Sequence, residues 1–326
     1  LKVLLTGATG FVGSHILDNL AGQGIRCAAL LRPSSDKAFL PSDPAAFEIR
    51  RGSIDNVQSL TTALEGITHV IHCAGRTSAC RSQEFFETNH IGTRNVVEAV
   101  NARNGQVRRL VHISSLAATG PGTPDAPSTE SSVCRPVSHY GRSKLAAEHE
   151  VLKRCKTDWS IIRPPAVYGP RDNGFLPLFK AVGSHLLPRT NSSQALSLVF
   201  VEDLAQAVTA VLKSPAASRK IYFAACPEIV TARQMAACIA ARMKTWTVPV
   251  PLPALGLWPL CAAQEVYARI TGRPRMLNLQ KFAELSAPGW VCDSTLLARE
   301  IGCVCQTRLE TGVARTLDWY LQNDWL

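Results

Sequence analysis

The first fifteen residues, Leu-Lys-Val-Leu-Leu-Thr-Gly-Ala-Thr-Gly-Phe-Val-Gly-Ser-His, constrain the remainder of the chain. The apolar run 3–5 predicts a buried strand, Gly7, Gly10 and Gly13 predict a turn, and residues 11–20 repeat at helical spacing. Gly7 permits a sharp exit from the strand, Gly10 lets backbone N–H groups approach a pyrophosphate, and Gly13 lets the helix pack closely on the sheet. The helix N-terminus would add unpaired N–H groups and a partial positive charge. Three glycines alone also fit a bland tight turn; the strand before them and the helix after them point to a dinucleotide.

With 326 residues the chain is long enough for one α/β unit and a smaller lobe, and 46% hydrophobic with 18% charged residues argues against disorder. Eleven cysteines are scattered from Cys27 to Cys305 without a Cys-x-x-Cys pair, which fits reduced thiols in the cytoplasm. Cys303 and Cys305 match no zinc spacing, so no metal is expected. The net charge of +10 is dispersed and lacks aromatic-basic interleaving, which favours a solvated surface over nucleic acid. No signal peptide is expected ahead of the first strand. The apolar stretch 248–263 carries Pro249, Pro251, Pro253 and Pro259 and is shorter than a bilayer span of about 20 residues, so no membrane crossing is expected.

Residues 26–31 read as the second strand and 32–35 as a turn. At this strand end of a Rossmann half, Asp or Glu selects a free ribose 2′-hydroxyl and Arg accommodates a 2′-phosphate. Leu31 and Arg32 stand here without a carboxylate, so NADP is expected, with NAD as the alternative; the bland reading leaves Arg32 stacked on adenine or in solvent. Strands are predicted at 46–50 and 68–73 around a helix at 57–64 capped by Asn56, followed by a long helix at 84–104. A fifth strand, 109–114, ends on Ser114-Ser115. The alternation implies an α/β fold, a doubly wound parallel sheet with right-handed crossovers, whose ligands sit at the carboxyl ends of the strands. The Pro/Ser/Thr-rich segment 120–136 reads as a loop long enough to border an active site. It leads to His139-Tyr-Gly-Arg-Ser-Lys144, opening a helix to about Lys153, then to a strand at 158–163.

Residues 1–170 are therefore expected to form a dinucleotide-binding domain, its sheet completed within 196–224 by strands at 196–201 and 220–224 around a helix at 204–212. The remainder, 171–195 and 225–326, is proline-punctuated and expected to form a smaller, mostly helical substrate-binding lobe. Its stretch 248–263 reads as lobe core, or as an apolar pocket wall or membrane-touching surface.

Tyr140 and Lys144 are four residues apart, on one helical face. A phenol beside an ammonium can serve as acid/base for a carbonyl or alcohol, because the cation stabilises phenolate and lowers the tyrosine pKa. A neighbouring serine can hold the reacting oxygen, and a nicotinamide would supply the hydride. The Tyr-x-x-x-Lys spacing recurs by chance; its position after a strand ending in serines gives it weight, although those serines could simply end the strand. His72, His112 and His139 are expected to be structural or cofactor-adjacent, since the tyrosine provides the proton. Arg171 and Arg189 could meet an anionic substrate group or lie in surface salt bridges.

In order and spacing, Thr6-Gly-Ala-Thr-Gly-Phe-Val-Gly13, His72-Cys-Ala-Gly75, Asn89-x-x-Gly-Thr93, His112-Ile-Ser-Ser115, Tyr140-x-x-x-Lys144 and Arg163-Pro-x-x-Val-Tyr-Gly-Pro170 form a set. Through them the chain resembles the extended short-chain dehydrogenase/reductases, the NAD-dependent epimerase/dehydratase superfamily, over essentially its whole length. The resemblance implies that Tyr140 is the acid/base, that Lys144 lowers its pKa and holds the nicotinamide ribose, and that Ser115, by alignment to Gly120, binds the reacting oxygen. It implies cofactor contacts from Gly7, Thr9, Gly10, Phe11, Val12 and Gly13, then Arg32, Ser53 and Ile54. Cys73, Ala74, Gly75 and Asn89 follow, and then Tyr140, Lys144, Pro164, Ala166 and Val167.

The chain also departs from the pattern. Many relatives have Asp after the glycine ending the third strand, contacting adenine; here Gly52 precedes Ser53, which can still hydrogen-bond. Relatives acting on nucleotide-sugars hold the diphosphate with an asparagine where this chain has Ala166, and with an arginine in the segment matching Leu196-Ser-Leu198. Relatives reading Arg-Pro with an apolar continuation include 3β-hydroxysteroid dehydrogenases and dihydroflavonol reductase-like enzymes. The expectation is an NAD(P)-dependent oxidoreductase interconverting a secondary alcohol and a ketone on an apolar steroid-, terpenoid- or flavonoid-like small molecule. The alternatives are a nucleotide-sugar epimerase/dehydratase and a non-catalytic NADP-sensing regulator, the latter disfavoured by Tyr140 and Lys144. Peripheral membrane contact and a homodimer stay open.

Overall fold

The computed structural model describes all residues except 42, 44, 45, 190–193, 252, 253 and 273–278. In chain order the strands are β1 (Lys2–Thr6), β2 (Arg26–Leu31), β3 (Glu48–Arg51), β4 (His69–His72), β5 (Arg109–Ile113), β6 (Asp158–Arg163), β7 (Ala166–Tyr168), β8 (Leu186–Arg189), β9 (Ala195–Phe200), β10 (Lys220–Phe223), β11 (Ile229–Thr231), β12 (Val248–Pro251) and β13 (Gly289–Trp290). The helices are α1 (Phe11–Gly22), α2 (Val57–Ala63), α3 (Ser82–Phe85), α4 (Gly92–Asn101), α5 (Leu116–Thr119), α6 (His139–Arg154), α7 (Leu176–Gly183), α8 (Val201–Lys213), α9 (Ala232–Met243), α10 (Ala254–Thr271), α11 (Leu279–Leu285), α12 (Thr295–Ile301) and α13 (Leu309–Gln322). A π-helical segment, Phe86–Ile91, joins α3 to α4, so the predicted long helix is continuous but locally widened.

The main sheet is seven-stranded and parallel, ordered β10-β6-β5-β4-β1-β2-β3. Its two faces follow from the alternation of side chains along each strand. Val3 and Leu5 of β1 join a core with Ile16, Leu17 and Val208, while Leu4 joins a separate core with Val96 and Val100. Ala29 and Leu31 of β2 face the first core, and Ala28 and Leu30 the second. Each fully buried Val or Leu contributes about 1.5–3 kcal/mol, so both faces must be covered, and the Rossmann arrangement follows. Strand order reverses between β1 and β4, which opens a crevice at their carboxyl ends.

Of the two strands expected to complete this sheet, β10 does so beside β6, but β9 does not. β9 belongs to a second sheet, pairing with β7, β11 and β13. The edge beside β6 is taken by β10, and past Pro164 and Pro165, which cannot donate to a ladder, the chain pairs as β7 with β9. Tyr168, Phe179, Phe200, Val313 and Tyr320 form a third core beneath this sheet. No helix among the described residues is long and apolar enough to cross a membrane.

Candidate active site

The glycine turn separates two kinds of steric demand. Gly7 has φ +76°, and a Cβ there would lie 2.6 Å from the Ala74 nitrogen. A Cβ on Gly13 would lie 2.0 Å from the Gly7 oxygen. Both positions need glycine for the turn itself. Gly10 is exposed, and its Cβ would meet nothing of the chain nearer than the Gly7 oxygen at 3.4 Å, so the clear space above it faces outward. The first turn of α1, which includes Phe11, Val12 and Gly13, has no side-chain cap and no acidic residue, so its N–H groups suit an anion. These features fit a dinucleotide pyrophosphate.

Around this turn, the Thr6 hydroxyl accepts from the Ala74 N–H at 3.1 Å and pairs with His72 Nδ1 at 2.7 Å. His72 Nε2 meets the Thr93 hydroxyl at 3.0 Å, and Thr93 donates to the Asn89 carbonyl at 2.6 Å. This buried chain ties the ends of β1 and β4 to the π-helical segment. Burial holds His72 neutral, its pKa pushed down to about 3. Ile54 is fixed by Asn95, which donates to its carbonyl at 2.9 Å. Ser53 donates to Asp55 at 2.9 Å, and Arg32 is exposed at the end of β2.

At the end of β5 two adjacent serines diverge. Ser114 is buried and donates to Glu148 Oε1. Glu148 and Arg163 form a two-pronged pair, Nε to Oε1 at 2.9 Å and Nη2 to Oε2 at 2.6 Å. Ser115 caps α5, accepting from the Ala117 N–H at 3.1 Å, and its hydroxyl is close enough to the Tyr140 phenol to hold the phenol's pKa down against burial. Tyr140 opens α6, whose N-cap Ser138 accepts from the Gly141 N–H at 3.1 Å. One turn on, buried Lys144 donates to the Ile113 carbonyl at 2.6 Å.

Asn89 lies within the π-helical segment, a feature frequent at functional sites. Its amide donates to Ser143 at 2.9 Å and to the Arg76 carbonyl at 3.0 Å, while its oxygen accepts from the Arg76 N–H at 2.7 Å. A Cβ on Gly75 would lie 3.2 Å from Asn89 Oδ1 and 3.9 Å from Lys144 Nζ, so these three residues share one wall.

Burial raises the Tyr140 pKa to about 12, partly offset by Ser115, with Glu284 of α11 and Cys73 adding to the rise. Burial lowers Lys144 to about 8, opposed by Cys73 and Glu148. Desolvation sets the direction of the Tyr140 shift, and the Lys144 ammonium donates to the Ile113 carbonyl. The fold brings Ser115, Tyr140, Lys144, Asn89 and Gly75 together.

Pro164 is buried beside this group, its carbonyl accepting from the Leu116 N–H at 2.8 Å. Ala166 and Val167 open β7. Arg171 pairs with Asp18 of α1 at 2.7 Å, and the Arg189 side chain lies outside the described residues. Leu196 packs against the third core. Trp258 is exposed, while residues 252 and 253 of the 248–263 stretch lie outside the described residues. Sequence reasoning missed Glu148, Glu284 and the Thr6–His72–Thr93 chain. The signal for Glu148 was present, since it continues the Tyr140, Lys144 face by a further four residues. Among the described residues no group of three or more His, Cys, Asp or Glu could hold a metal.

Residues 3–225 match the NAD dependent epimerase/dehydratase family. A ceramide reductase of Caulobacter vibrioides is 28% identical over 325 residues, 99% of this chain and 96% of that protein. A UDP-glucose 4-epimerase of Vibrio cholerae is 29% identical over 287 residues, 83% of this chain and 85% of that protein. The crystal structure of gox2253 superimposes with a TM-score of 0.82 at 23% identity, covering 100% of this chain and 99% of that one, and so shares the fold. The family match takes in the glycine turn and the whole Ser115, Tyr140 and Lys144 cluster, and the chain belongs to the NAD dependent epimerase/dehydratase family as an enzyme of the extended short-chain dehydrogenase/reductase type.

Proposed function

We propose that the chain is an NADP(H)-dependent oxidoreductase that interconverts a secondary alcohol and a ketone on an apolar substrate. The observation that carries this reading is the division between the two serines: Ser114 is consumed by Glu148, which leaves Ser115 beside the Tyr140 phenol. When bound, the nicotinamide supplies or accepts the hydride. Tyr140 exchanges a proton with the substrate oxygen, and a phenol held at about 12 begins protonated, ready to donate in the reductive direction. Ser115 donates a hydrogen bond to the same oxygen as charge develops there. Lys144, Asn89 and Gly75, which share one wall, would hold the nicotinamide ribose. Gly7, Thr9, Gly10, Phe11, Val12 and Gly13 would hold the pyrophosphate, and Ser53 and Ile54 would meet the adenine. Arg32, with no carboxylate at the strand end, favours the 2′-phosphate of NADP. Eleven free thiols support a reducing, cytoplasmic setting.

The apolar substrate is supported by the ceramide reductase relative and by Ala166 and Leu196, which supply neither amide nor guanidinium for a diphosphate. The UDP-glucose 4-epimerase relative favours a second reading, nucleotide-sugar epimerisation or dehydration. The experiment is a panel of long-chain, sterol and aryl ketones against UDP- and dTDP-sugars, followed by NADPH absorbance and product stereochemistry, with NADPH and NADH titrations alongside. Reduction of an apolar ketone is expected, with Tyr140→Phe lowering turnover about 10²–10⁴-fold while NADPH affinity holds. Turnover of a nucleotide-sugar, or near-native activity of folded Tyr140→Phe, would overturn the reading.

A further inference from the structure

Strands β8 and β12 form a two-stranded ribbon outside both sheets, with Leu186 opposite Val248. Leu186 is 48% exposed, Val248 50% and nearby Trp246 65%. Trp246 is held by stacking on His185, with ring centroids 4.2 Å apart, and by its carbonyl, 3.0 Å from His185 Nδ1. Single exposed apolar residues are ordinary on protein surfaces, whereas two on the ribbon with Trp246 two residues before β12 form a patch that calls for a partner.

The two segments that contribute the ribbon carry basic residues and no acidic ones. The chain has no acidic residue between Asp172 and Glu202 or between Glu228 and Glu265, the two segments that contribute β8 and β12. The helices leading into the ribbon end in basic residues, Lys180 in the last turn of α7 and Lys244 at the C-cap of α9, both exposed. Asp318 of α13 reaches this region, where it pairs with Arg242 at 2.9 Å.

We infer that this ribbon docks on an anionic lipid bilayer, with Trp246, Leu186 and Val248 entering the interface and Lys180 and Lys244 meeting lipid headgroups. An indole with an apolar body and a polar N–H suits the headgroup boundary, and aliphatic neighbours suit hydrocarbon better than stacked bases. Basic residues beside the patch add attraction to anionic lipid, and the net charge of +10 reinforces it. A second copy of the chain fits poorly, because a self-complementary contact through this face would set lysines against lysines. The inference goes beyond the proposed activity and does not depend on the substrate.

The test is co-sedimentation of the full chain with vesicles of phosphatidylcholine alone and vesicles in which about one third is phosphatidylglycerol. At least about tenfold tighter binding to the anionic vesicles is expected, with the difference lost at about 1 M salt. Trp246→Ala/Val248→Ala should weaken binding about tenfold. Lys180→Glu/Lys244→Glu, which keeps the apolar surface, should abolish the anionic preference. All four positions are exposed, and circular dichroism checks folding. Absence of vesicle binding, equal binding to both compositions, or wild-type binding by either variant would overturn the inference. So would a dimer in sedimentation velocity that dissociates in Trp246→Ala/Val248→Ala, which would make the ribbon a contact between copies.

Discussion

Arg163 and Glu148 form an ion pair inside the protein, with the guanidinium 3% and the carboxylate 0% exposed, joined by contacts of 2.9 and 2.6 Å. Ser114 donates to the same carboxylate, so the strand end, α6 and the exit from β6 meet at one oxygen. Through this knot the motif arginine before Pro164 positions α6, and with it Tyr140 and Lys144.

Removing one partner should cost far more than a surface pair would. Glu148→Ala leaves a buried guanidinium without its counter-charge, and a loss of about 3–5 kcal/mol is expected, against about 1 kcal/mol for Ser114→Ala. Urea unfolding, read at unchanged m-value, measures both. A Glu148→Ala loss as small as that of Ser114→Ala would show that the pair does not hold the fold.

The glycine turn should split binding from stability. Gly13→Ala drives a Cβ to 2.0 Å from the Gly7 oxygen, so a loss of about 1–3 kcal/mol or more is expected. Gly10→Ala, with no atom nearer than 3.4 Å, should cost less than about 1 kcal/mol while weakening NADPH about tenfold. Thermal melts and calorimetric titration separate the two effects. Unaltered NADPH affinity in Gly10→Ala would remove the pyrophosphate from this turn.

Two buried histidines should make the fold acid-sensitive. Burial holds His72 at about 3 and His112 well below the ordinary value of 6.5. As pH falls below about 6.5 the unfolded chain binds protons that the folded chain refuses, so stability drops by about 1.4 kcal/mol per pH unit per histidine. For His72 the loss continues down to about 3. Neither ring nitrogen of His112 finds a hydrogen-bond partner among the described residues, so His112→Phe sacrifices no bond. That variant should gain about 1 kcal/mol near neutral pH and lose stability less steeply in acid, by about one proton. Chemical denaturation across the acid range checks the slope; an unchanged slope would place His112 outside the linkage.

The sequence by itself determined the strand, turn and helix at the start, the β/α alternation, and the pairing of Tyr140 with Lys144. The strand, turn, helix and alternation are encoded by local periodicity and by residues whose backbone demands are absolute, such as Gly7 and Gly13, while for Tyr140 and Lys144 the sequence sets only their spacing of one turn on α6. It also carried the Asn56 cap, which accepts from Ser59 as its side-chain chemistry dictates.

Tertiary structure decided the rest. β9 was legible as a strand, but its sheet depended on β10 taking the edge beside β6 and on β7, β11 and β13 as partners distant in sequence. Which serine was spent on Glu148 depended on a helix 34 residues away, and the Tyr140 pKa on burial that no local pattern records. The ribbon of β8 and β12 joins segments about 60 residues apart, so its exposed patch exists only once they pair. Local chemistry fixes conformation over a few residues, whereas desolvation and charge pairing depend on neighbours that only the folded chain supplies.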